Sequence, residues 1–515
     1  MLPATLQFDA AVRIVAELRA AGYEAYLAGG CVRDLLLGRV PKDYDVATSA
    51  TPDVVLKLFP RTFAVGAHFG VVLVATCGGA DPACAAEAKS GLLQESLLSA
   101  TNSKRANSEQ LAAPQVLTEV ATFRSDGAYS DGRHPDAVRY TTSAEEDVRR
   151  RDFTINGLLL DPERLFPQGL KPASLAGLDV RAEARTLQSV ESDFQSQKNL
   201  RAAVIDHVGG LADLDAGVVR AIGRADLRFE EDRLRMLRGV RFAARFGFEL
   251  EATTAAATRR LAAGIAAVSR ERVRDELTKM LTEGAARRAF ELLEATGLLG
   301  EALPEVARMK GVEQPPQFHP EGDVWVHTLL LLGQLEAGCP LTLAWGALLH
   351  DVGKPATFTR ADRIRFNGHV EVGVAISAEI CRRFRFSNDE TRLTLALVEN
   401  HMRFGDAPRM KSSTLKRFFR LEEFDQHLAL HRMDCMAARG NLEHWEFVRE
   451  RYAATPAEAV RPRLLVTGRE LIAAGYRPGA GFKQMLRAAE DAQLEGQIET
   501  VEEAIKLIRE RFPVL

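Results

Sequence analysis

Apolar residues recur at helical spacing in the first segment, LQFDAAVRIVAELRAAG, where Phe8, Val12, Val15 and Leu18 share one face. The period then shortens. YEAYLAGG reads as a strand ending in a glycine turn, CVRDLLLG as a helix that opens at that turn, and KDYDVAT as the next strand. TSATPDVVLKLF has Ser/Thr caps and a proline in its first turn, which predict a helix. RTFAVG, HFGVVLVAT and QVLTEVATFR read as further strands. The pattern therefore predicts a small mixed α/β domain. From about residue 226 onward helical spacing takes over, so the chain as a whole is α+β.

Two stretches break the first pattern. Residues 78–114 are rich in Ala, Ser, Asn and Gln, and residues 163–205 are polar with little strand pattern. Both read as surface insertions on a core that does not need them. PPQFHPEGDVWVH, near 315–327, reads as a linker into a second module. No repeat of solenoid period is present.

Composition narrows the classes. The 515 residues carry a net charge of -3, so any positive surface for nucleic acid must be local. Six cysteines form no CxxC pair, which argues against a zinc ribbon or a thioredoxin-type site and for reduced thiols. No apolar run approaches the ~18 residues that span a bilayer, and the expectation is a cytoplasmic protein without a membrane partner.

Chemistry concentrates first in GGCVRDLLLGRVPKDYDV. Asp43 and Asp45 are two apart, so in a strand both point to one face. Carboxylates held together repel, and a divalent cation relieves the repulsion; oxygen-only ligands suit Mg2+. Backbone N–H groups at Gly29 and Gly30 suit phosphate, with Arg33 one turn further on. The plain reading is a solvated acidic turn beside an unrelated glycine loop, but that explains neither the arginine nor the strand–helix–strand order. Glu119 stands amid the apolar strand LTEVATFR and would complete a two-metal site for phosphoryl transfer.

GGCVRDLLLGRVPKDYDVAT, TEVATFR, RRDFTINGLLLDP and GVVRAIGRADLRFEEDRLRMLRGVRFAARFGF together resemble the signatures of the tRNA nucleotidyltransferase/poly(A) polymerase family, bacterial class II branch, over roughly residues 10–300. The resemblance implies a polymerase beta-like nucleotidyltransferase head. It assigns two Mg2+ ions to Asp43, Asp45 and Glu119, and triphosphate or primer contacts to Arg150, Arg151, Asp152 and Asn156. In EEDRLRMLRGVRFAAR the residues Asp232, Arg235, Arg238, Arg241 and Arg245 fall on one helical face, with Leu237, Val240 and Ala244 opposite. A solvated face explains one Asp–Arg pair but not four aligned arginines. By resemblance, Asp232 and Arg235 read the edge of the incoming base, Glu231 orients the arginines, and Arg238 and Arg241 hold the helix or the triphosphate. SRERVRDELTKML is similar to the segment that closes the family's neck.

A second constellation follows. His327, His350, Asp351 and Asp434 form the H…HD…D pattern of HD-domain phosphohydrolases, and His369 and His401 offer ligands for a second metal. Mixed imidazole and carboxylate donors suit a transition metal that activates water. The plainer reading is a helical bundle whose histidines only cap and pack. Related enzymes imply a 2′,3′-cyclic phosphodiesterase or phosphatase role at tRNA ends. The tail after residue 456 resembles the family's closing segment, with Arg461, Arg463, Arg469, Arg477 and Lys483 available to phosphate.

The expected division is a head over 1–225, a helical neck over 226–310, an HD domain over 320–455 and a tail over 456–515. The expected activity is template-independent addition of CCA to tRNA from CTP and ATP. The rivals are a poly(A) polymerase, an enzyme adding only CC or only A, and, from another class, an HD phosphohydrolase whose N-terminal half merely holds RNA.

Overall fold

The structure is a computed structural model that describes residues 5–64, 70–77, 115–126, 138–165 and 197–513. The first expected insertion, 78–114, and most of the second lie outside the described residues. The chain divides into two compact units, Met1–Val268 and Ser269–Leu515.

The first unit opens with helix α1 (Leu6–Ala20), started by Thr5, whose hydroxyl accepts from Phe8 N. Phe8, Val12, Val15 and Leu18 are all buried. They pack on a sheet built from β1 (Ala25–Ala28), β2 (Asp45–Thr48), β3 (Thr62–Phe63), β4 (Val71–Cys77), β5 (Gln115–Thr122), β8 (Leu158–Leu160) and β9 (Val204–Asp206). The strand order is β3-β4-β5-β2-β1-β8-β9. Every pair is antiparallel except β2 with β5, where Val46 faces Val120. Helix α2 (Gly30–Leu36) follows β1, and α3 (Pro52–Leu58) follows β2 with Pro52 in its first turn. A small second sheet pairs β6 (Arg124–Asp126) with β7 (Val138–Tyr140), and α4 (Ala144–Arg149) comes next.

Two expectations are corrected here. The end of the supposed second insertion is core: Val204–Asp206 is an edge strand of the main sheet, and Leu200 and Ala203 are buried. The arginine-rich segment is two helices, α5 (Ala225–Glu231) and α6 (Leu234–Phe246), rather than one. Asp232 sits between them in extended conformation, and its carboxylate accepts from Leu234 N to start α6. The face assigned to packing does pack, since Leu237, Val240 and Ala244 are buried, but so are Arg235 and Arg241.

The second unit is helical apart from one hairpin. Its first helices are α7 (Arg270–Thr282) and α8 (Ala286–Ala295), and the fully buried Trp345 donates to Thr278 on α7. Helices α9 (Val324–Leu332), α10 (Leu341–Leu349), α11 (His369–Arg383), α12 (Asn388–Asn400) and α13 (Phe424–Ala437) form the next bundle. Strands β10 (Thr359–Arg360) and β11 (Ile364–Arg365) form the hairpin between α10 and α11. The tail folds as α14 (Gly468–Ala473), α15 (Gly481–Leu494) and α16 (Val501–Arg511) around a core of its own that includes Leu471, Ala492 and Ile508. No helix among the described residues is long and apolar enough to cross a membrane.

Candidate functional site

Between β1 and α2 the chain turns at Gly29, whose φ is +76°. That conformation favours glycine, and a Cβ there would also lie 2.9 Å from the tip of Arg151, which would have to shift. Beside this turn β2 begins at Asp45. Carrying the parallel register of Val46 with Val120 back one residue sets Asp45 next to Glu119 on β5. Burial alternates along β5, with Val116, Thr118 and Val120 inside and Leu117 and Glu119 exposed, so Glu119 stands on the open face. Asp43 is exposed just ahead of β2, not within it.

The electrostatics tie these groups together. The Asp45 pKa is pushed up to about 6, first by burial and then by the charges of Glu119 and Asp43, with Arg151 opposing. Asp45 thus lies in the field of two further carboxylates and one guanidinium. Such a set of oxygens fits a hard divalent cation.

The arginines near this cluster are held from behind. Asp147 is 1 % exposed; its Oδ1 accepts from Arg150 Nε and Nη2 at 2.9 and 2.7 Å, and its Oδ2 from Arg151 Nε and Nη2 at 3.3 and 3.0 Å. Burial alone would raise the Asp147 carboxyl, but the two guanidinium groups outweigh it and hold it below its ordinary value. Arg33 is buried and already partnered: it donates to Asp34 at 2.9 and 2.7 Å and to Asn156 Oδ1, and lies 4.4 Å from the Phe246 ring centre. Burial lowers its pKa and Asp34 opposes.

Asn156 in turn donates to Asp152 at 3.0 Å, and Asp152 accepts from Arg238 at 2.8 and 2.7 Å. Burial pushes the Asp152 pKa up, yet Arg238 and Asn156 outweigh it and bring the value to about 2. The chain Arg33–Asn156–Asp152–Arg238 therefore joins α2 to α6. Arg235 donates to Glu231 at 2.6 Å and to the carbonyls of Arg228 and Arg150, and Glu231 also accepts from Arg228 at 2.8 Å. Arg241 packs 4.3 Å from the Phe242 ring centre.

The second unit gathers all six of its expected ligands. His327 lies on α9, which Asp323 caps by accepting from Val326 N at 2.7 Å. His350 and Asp351 follow α10, His369 begins α11, His401 follows α12 and Asp434 lies on α13. Gly353 makes the approach possible, because a Cβ there would fall 2.1 Å from the His369 carbonyl. Asp351 is 2 % exposed and its two oxygens face different histidines. Oδ2 is 3.2 Å from His350 Nε2 and 4.0 Å from His327 Nε2; Oδ1 is 3.8 Å from His401 Nε2 and 3.9 Å from His369 Nε2. Asp434 Oδ1 is 3.0 Å from His327 Nε2, without hydrogen-bonding geometry.

The far side of each ring is fixed. Nδ1 of His350, His369 and His401 meets the carbonyls of Ala347, Phe366 and Val398 at 2.9, 3.0 and 2.7 Å, and His327 Nδ1 meets Glu321 at 2.8 Å. A carbonyl only accepts, so each of those three Nδ1 atoms carries the hydrogen, leaving Nε2 as the lone-pair atom when the ring is neutral. All four Nε2 atoms are buried without a hydrogen-bond partner. Burial holds His401 near 4, with Asp351 opposing, so it is neutral at ordinary pH. Burial also disfavours charge on His327, but Asp434 and Glu321 outweigh it and raise its pKa to about 9. Four orphaned ring nitrogens facing a buried carboxylate form a set of donors that could hold a metal ion.

Several contributors escaped the sequence reading. Glu321 bridges His319 and His327, both at 2.8 Å. Lys354, 7 % exposed, forms an ion pair with Asp351 at 2.6 Å and donates to Gln314 at 2.7 Å. The supposed linker near 315–327 is thus a wall of the site. The available signal was the spacing of Lys354 from Asp351, one helical turn, and of Asp147 from Arg150 and Arg151.

Three family models match the chain. The Poly A polymerase head domain matches residues 25–78 and 80–167, the probable RNA and SrmB-binding site of polymerase A matches 247–310, and the HD domain matches 326–435. The chain is 34% identical over 291 residues to the CCA-adding enzyme of Geobacillus thermodenitrificans, covering 56% of this chain and 54% of that one. It therefore spans about half the length of that relative. It is 28% identical over 504 residues to the CCA-adding enzyme of Geobacillus kaustophilus, covering 97% and 95%. The crystal structure of the Bacillus stearothermophilus CCA-adding enzyme in complex with CTP superposes with a TM-score of 0.66 at 25% identity, over 99% of this chain and 98% of that one. Head, RNA-binding segment and HD domain in this order define a nucleotidyltransferase. The chain belongs to the tRNA nucleotidyltransferase/poly(A) polymerase family, whose enzymes use divalent metal.

Proposed function

We propose that this protein adds CCA to the 3′ ends of tRNA from CTP and ATP, without a nucleic-acid template. The observation that carries the reading is the register of Asp45 beside Glu119 on the neighbouring strand, with both Glu119 and Asp43 raising the Asp45 pKa. Relatives named CCA-adding enzymes align over nearly the whole chain, and one similar structure holds CTP. Asp43, Asp45 and Glu119 would hold two Mg2+ ions, which when bound activate the primer 3′-hydroxyl and offset charge on the α-phosphate and leaving pyrophosphate. Arg150 and Arg151, aimed by Asp147, bring positive charge to the triphosphate. Gly30 would offer it a backbone N–H group, whereas the N–H of Gly29, expected to do the same, is donated to the Leu158 carbonyl at 3.0 Å; Arg33, Asn156 and Asp152 hold the turn in position.

Asp232 and Arg235 are the base readers in this proposal. A carboxylate accepts from an exocyclic amino group, and a guanidinium donates to ring nitrogen or carbonyl, so the pair complements cytosine or adenine. Glu231 restrains Arg235. Arg238 and Arg241 brace the helix. We assign the head to 1–225, the neck to 226–310, the HD domain to 320–455 and the tail to 456–515. The tail exposes Arg461, Arg463, Arg469, Arg477 and Lys483 for the tRNA body. A tRNA substrate makes the cytoplasm the working compartment.

The histidine cluster favours a second reading, a phosphohydrolase in the HD domain. His327, His350, Asp351 and Asp434 would hold one transition-metal ion, and His369 and His401 would add ligands for a second.

The decisive assay is incorporation on tRNA transcripts ending at the discriminator base, at C and at CC, with CTP alone, ATP alone and both. Growth to a CCA end that then stops is expected. Addition of only CC, of only A, or of an open-ended A tail would replace CCA addition with one of the rivals. No incorporation would leave the HD domain as the active half.

A further inference from the structure

The cavity over the histidine cluster does not end at the metal ligands. One chamber, about 490 Å³, is lined by Asp351, Lys354, His401 and Asp434. A second, about 430 Å³, is lined by Arg363, Arg365, Gln317 and Asn367. Pro315, Phe318, Phe366 and His369 line both, so the chambers adjoin across an aromatic partition. Phe318 is 61% exposed, an unusual position for a phenylalanine at the mouth of a charged site. The second chamber holds none of the metal-ligand set beyond the shared His369. Its arginines come from the β10–β11 hairpin, where Asp362 fixes Arg365 by contacts of 2.6 and 2.8 Å.

We infer that the second chamber is a phosphate subsite, and that the HD pocket takes a nucleoside flanked by two phosphates. This rests on the phosphohydrolase reading of the first chamber. The phosphate to be cleaved lies over the histidine cluster, the base stacks on the aromatic partition, and the second phosphate lies against Arg363 and Arg365. Stacking on phenylalanine accepts any base, because every base presents a π-face. Guanidinium groups recognise phosphate by paired donors, which a surface lysine does not offer; Arg363 supplies that pair, while Arg365, whose two terminal nitrogens meet Asp362, has its Nε edge left for the same phosphate. In the reaction a water oxygen bonds to phosphorus, the bond from phosphorus to the ribose oxygen breaks, and that oxygen takes a proton. The chemistry fits the last nucleotide of an RNA strand, whose second phosphate is the internucleotide link. It equally fits a free nucleoside 3′,5′-bisphosphate.

The test uses the full chain with Mn2+ and adenosine bearing a 3′-phosphonomethyl group, whose carbon–phosphorus bond does not hydrolyse. Affinity is measured for this compound, for its 5′-phosphate, and for a dinucleotide ending in it. The second phosphate is expected to tighten binding roughly tenfold, the yield of one charge-assisted contact. In Arg363→Ala/Arg365→Ala that gain should shrink to within twofold. A gain below twofold in the wild type, or an equal gain in the variant, overturns the subsite. Phe318→Ala should weaken all three ligands while inorganic phosphate binds as before; weakening of phosphate as well would remove the stacking role. If the dinucleotide binds at least as well as the bisphosphate, the source is an RNA end; tighter bisphosphate binding identifies the free nucleotide. Phosphate release from adenosine 3′-monophosphate, compared with His350→Ala, judges the phosphohydrolase reading separately, since the affinity ladder does not depend on turnover.

Discussion

The two clusters of candidate metal ligands solve one electrostatic problem in opposite ways. In the head, the side chains are all carboxylates, two of them exposed, carried by the start of one strand and the middle of its neighbour. In the second unit, the ligands are mostly imidazoles, buried, delivered by helix ends and locked from behind by carbonyls and Glu321. The open set raises the pKa of Asp45 and leaves room for phosphate oxygens to complete a coordination sphere. The closed set fixes its ring nitrogens in advance, although His327 must first lose a proton. If both sets hold metal as proposed, the open one suits an ion that arrives with its substrate and the closed one an ion that stays.

The sharpest break between them should come from Asp45→Ala. Losing a metal-binding carboxylate costs several kcal/mol of transition-state stabilisation, so nucleotide incorporation should fall by about three orders of magnitude. Phosphate release by the second unit should stay within twofold, measured on the same preparation. Equal loss of both activities would end the idea of two independent centres.

Next in size is Glu321→Gln. Removing the carboxylate behind His327 should weaken metal retention about 10–100-fold, read as metal content after dialysis against a chelator series. Retention unchanged would mean that Glu321 only packs.

The pH dependence separates the clusters further. His327 titrates near 9 and must lose its proton to ligate. Apparent affinity of the second unit for its metal should therefore rise up to about tenfold per pH unit from 7 to 9 and then level. A flat profile across that window would remove His327 from the ligand set.

The smallest effect is on stability. The folded Asp45 pKa, about 6, lies above its ordinary 3.8, so the fold favours the protonated carboxyl. At pH 7 without metal the ionised group destabilises the fold; this penalty fades as pH falls through 6 and is gone below 3.8. Asp45→Asn should then stabilise the metal-free protein by about 1–2 kcal/mol at pH 7, and by nothing near pH 4, measured by denaturant titration.

What was legible in the sequence depended on how far apart the cooperating residues lie. The glycine turn, the aspartates and the adjacent His350–Asp351 pair are short and contiguous, so a reader meets them together. Glu321 was hidden in a segment whose prolines and glycine imitate a linker. Lys354 was passed over because lysines usually mark surfaces, yet here it is buried against Asp351. The break at Asp232 was invisible because the spacing of apolar residues continues across it; only the capping bond to Leu234 ends one helix and begins the next. The edge strand at Val204–Asp206 is three residues long in polar surroundings, too short for alternation to register.

The bonded chain from Arg33 through Asn156 and Asp152 to Arg238 makes the first unit a caliper. One jaw is the glycine turn and the other is the helix that begins at Leu234, and the bonds fix the gap between them. On the proposed function, a nucleotide would be gauged by the span from its phosphates to its base, which CTP and ATP share through a common ribose and triphosphate.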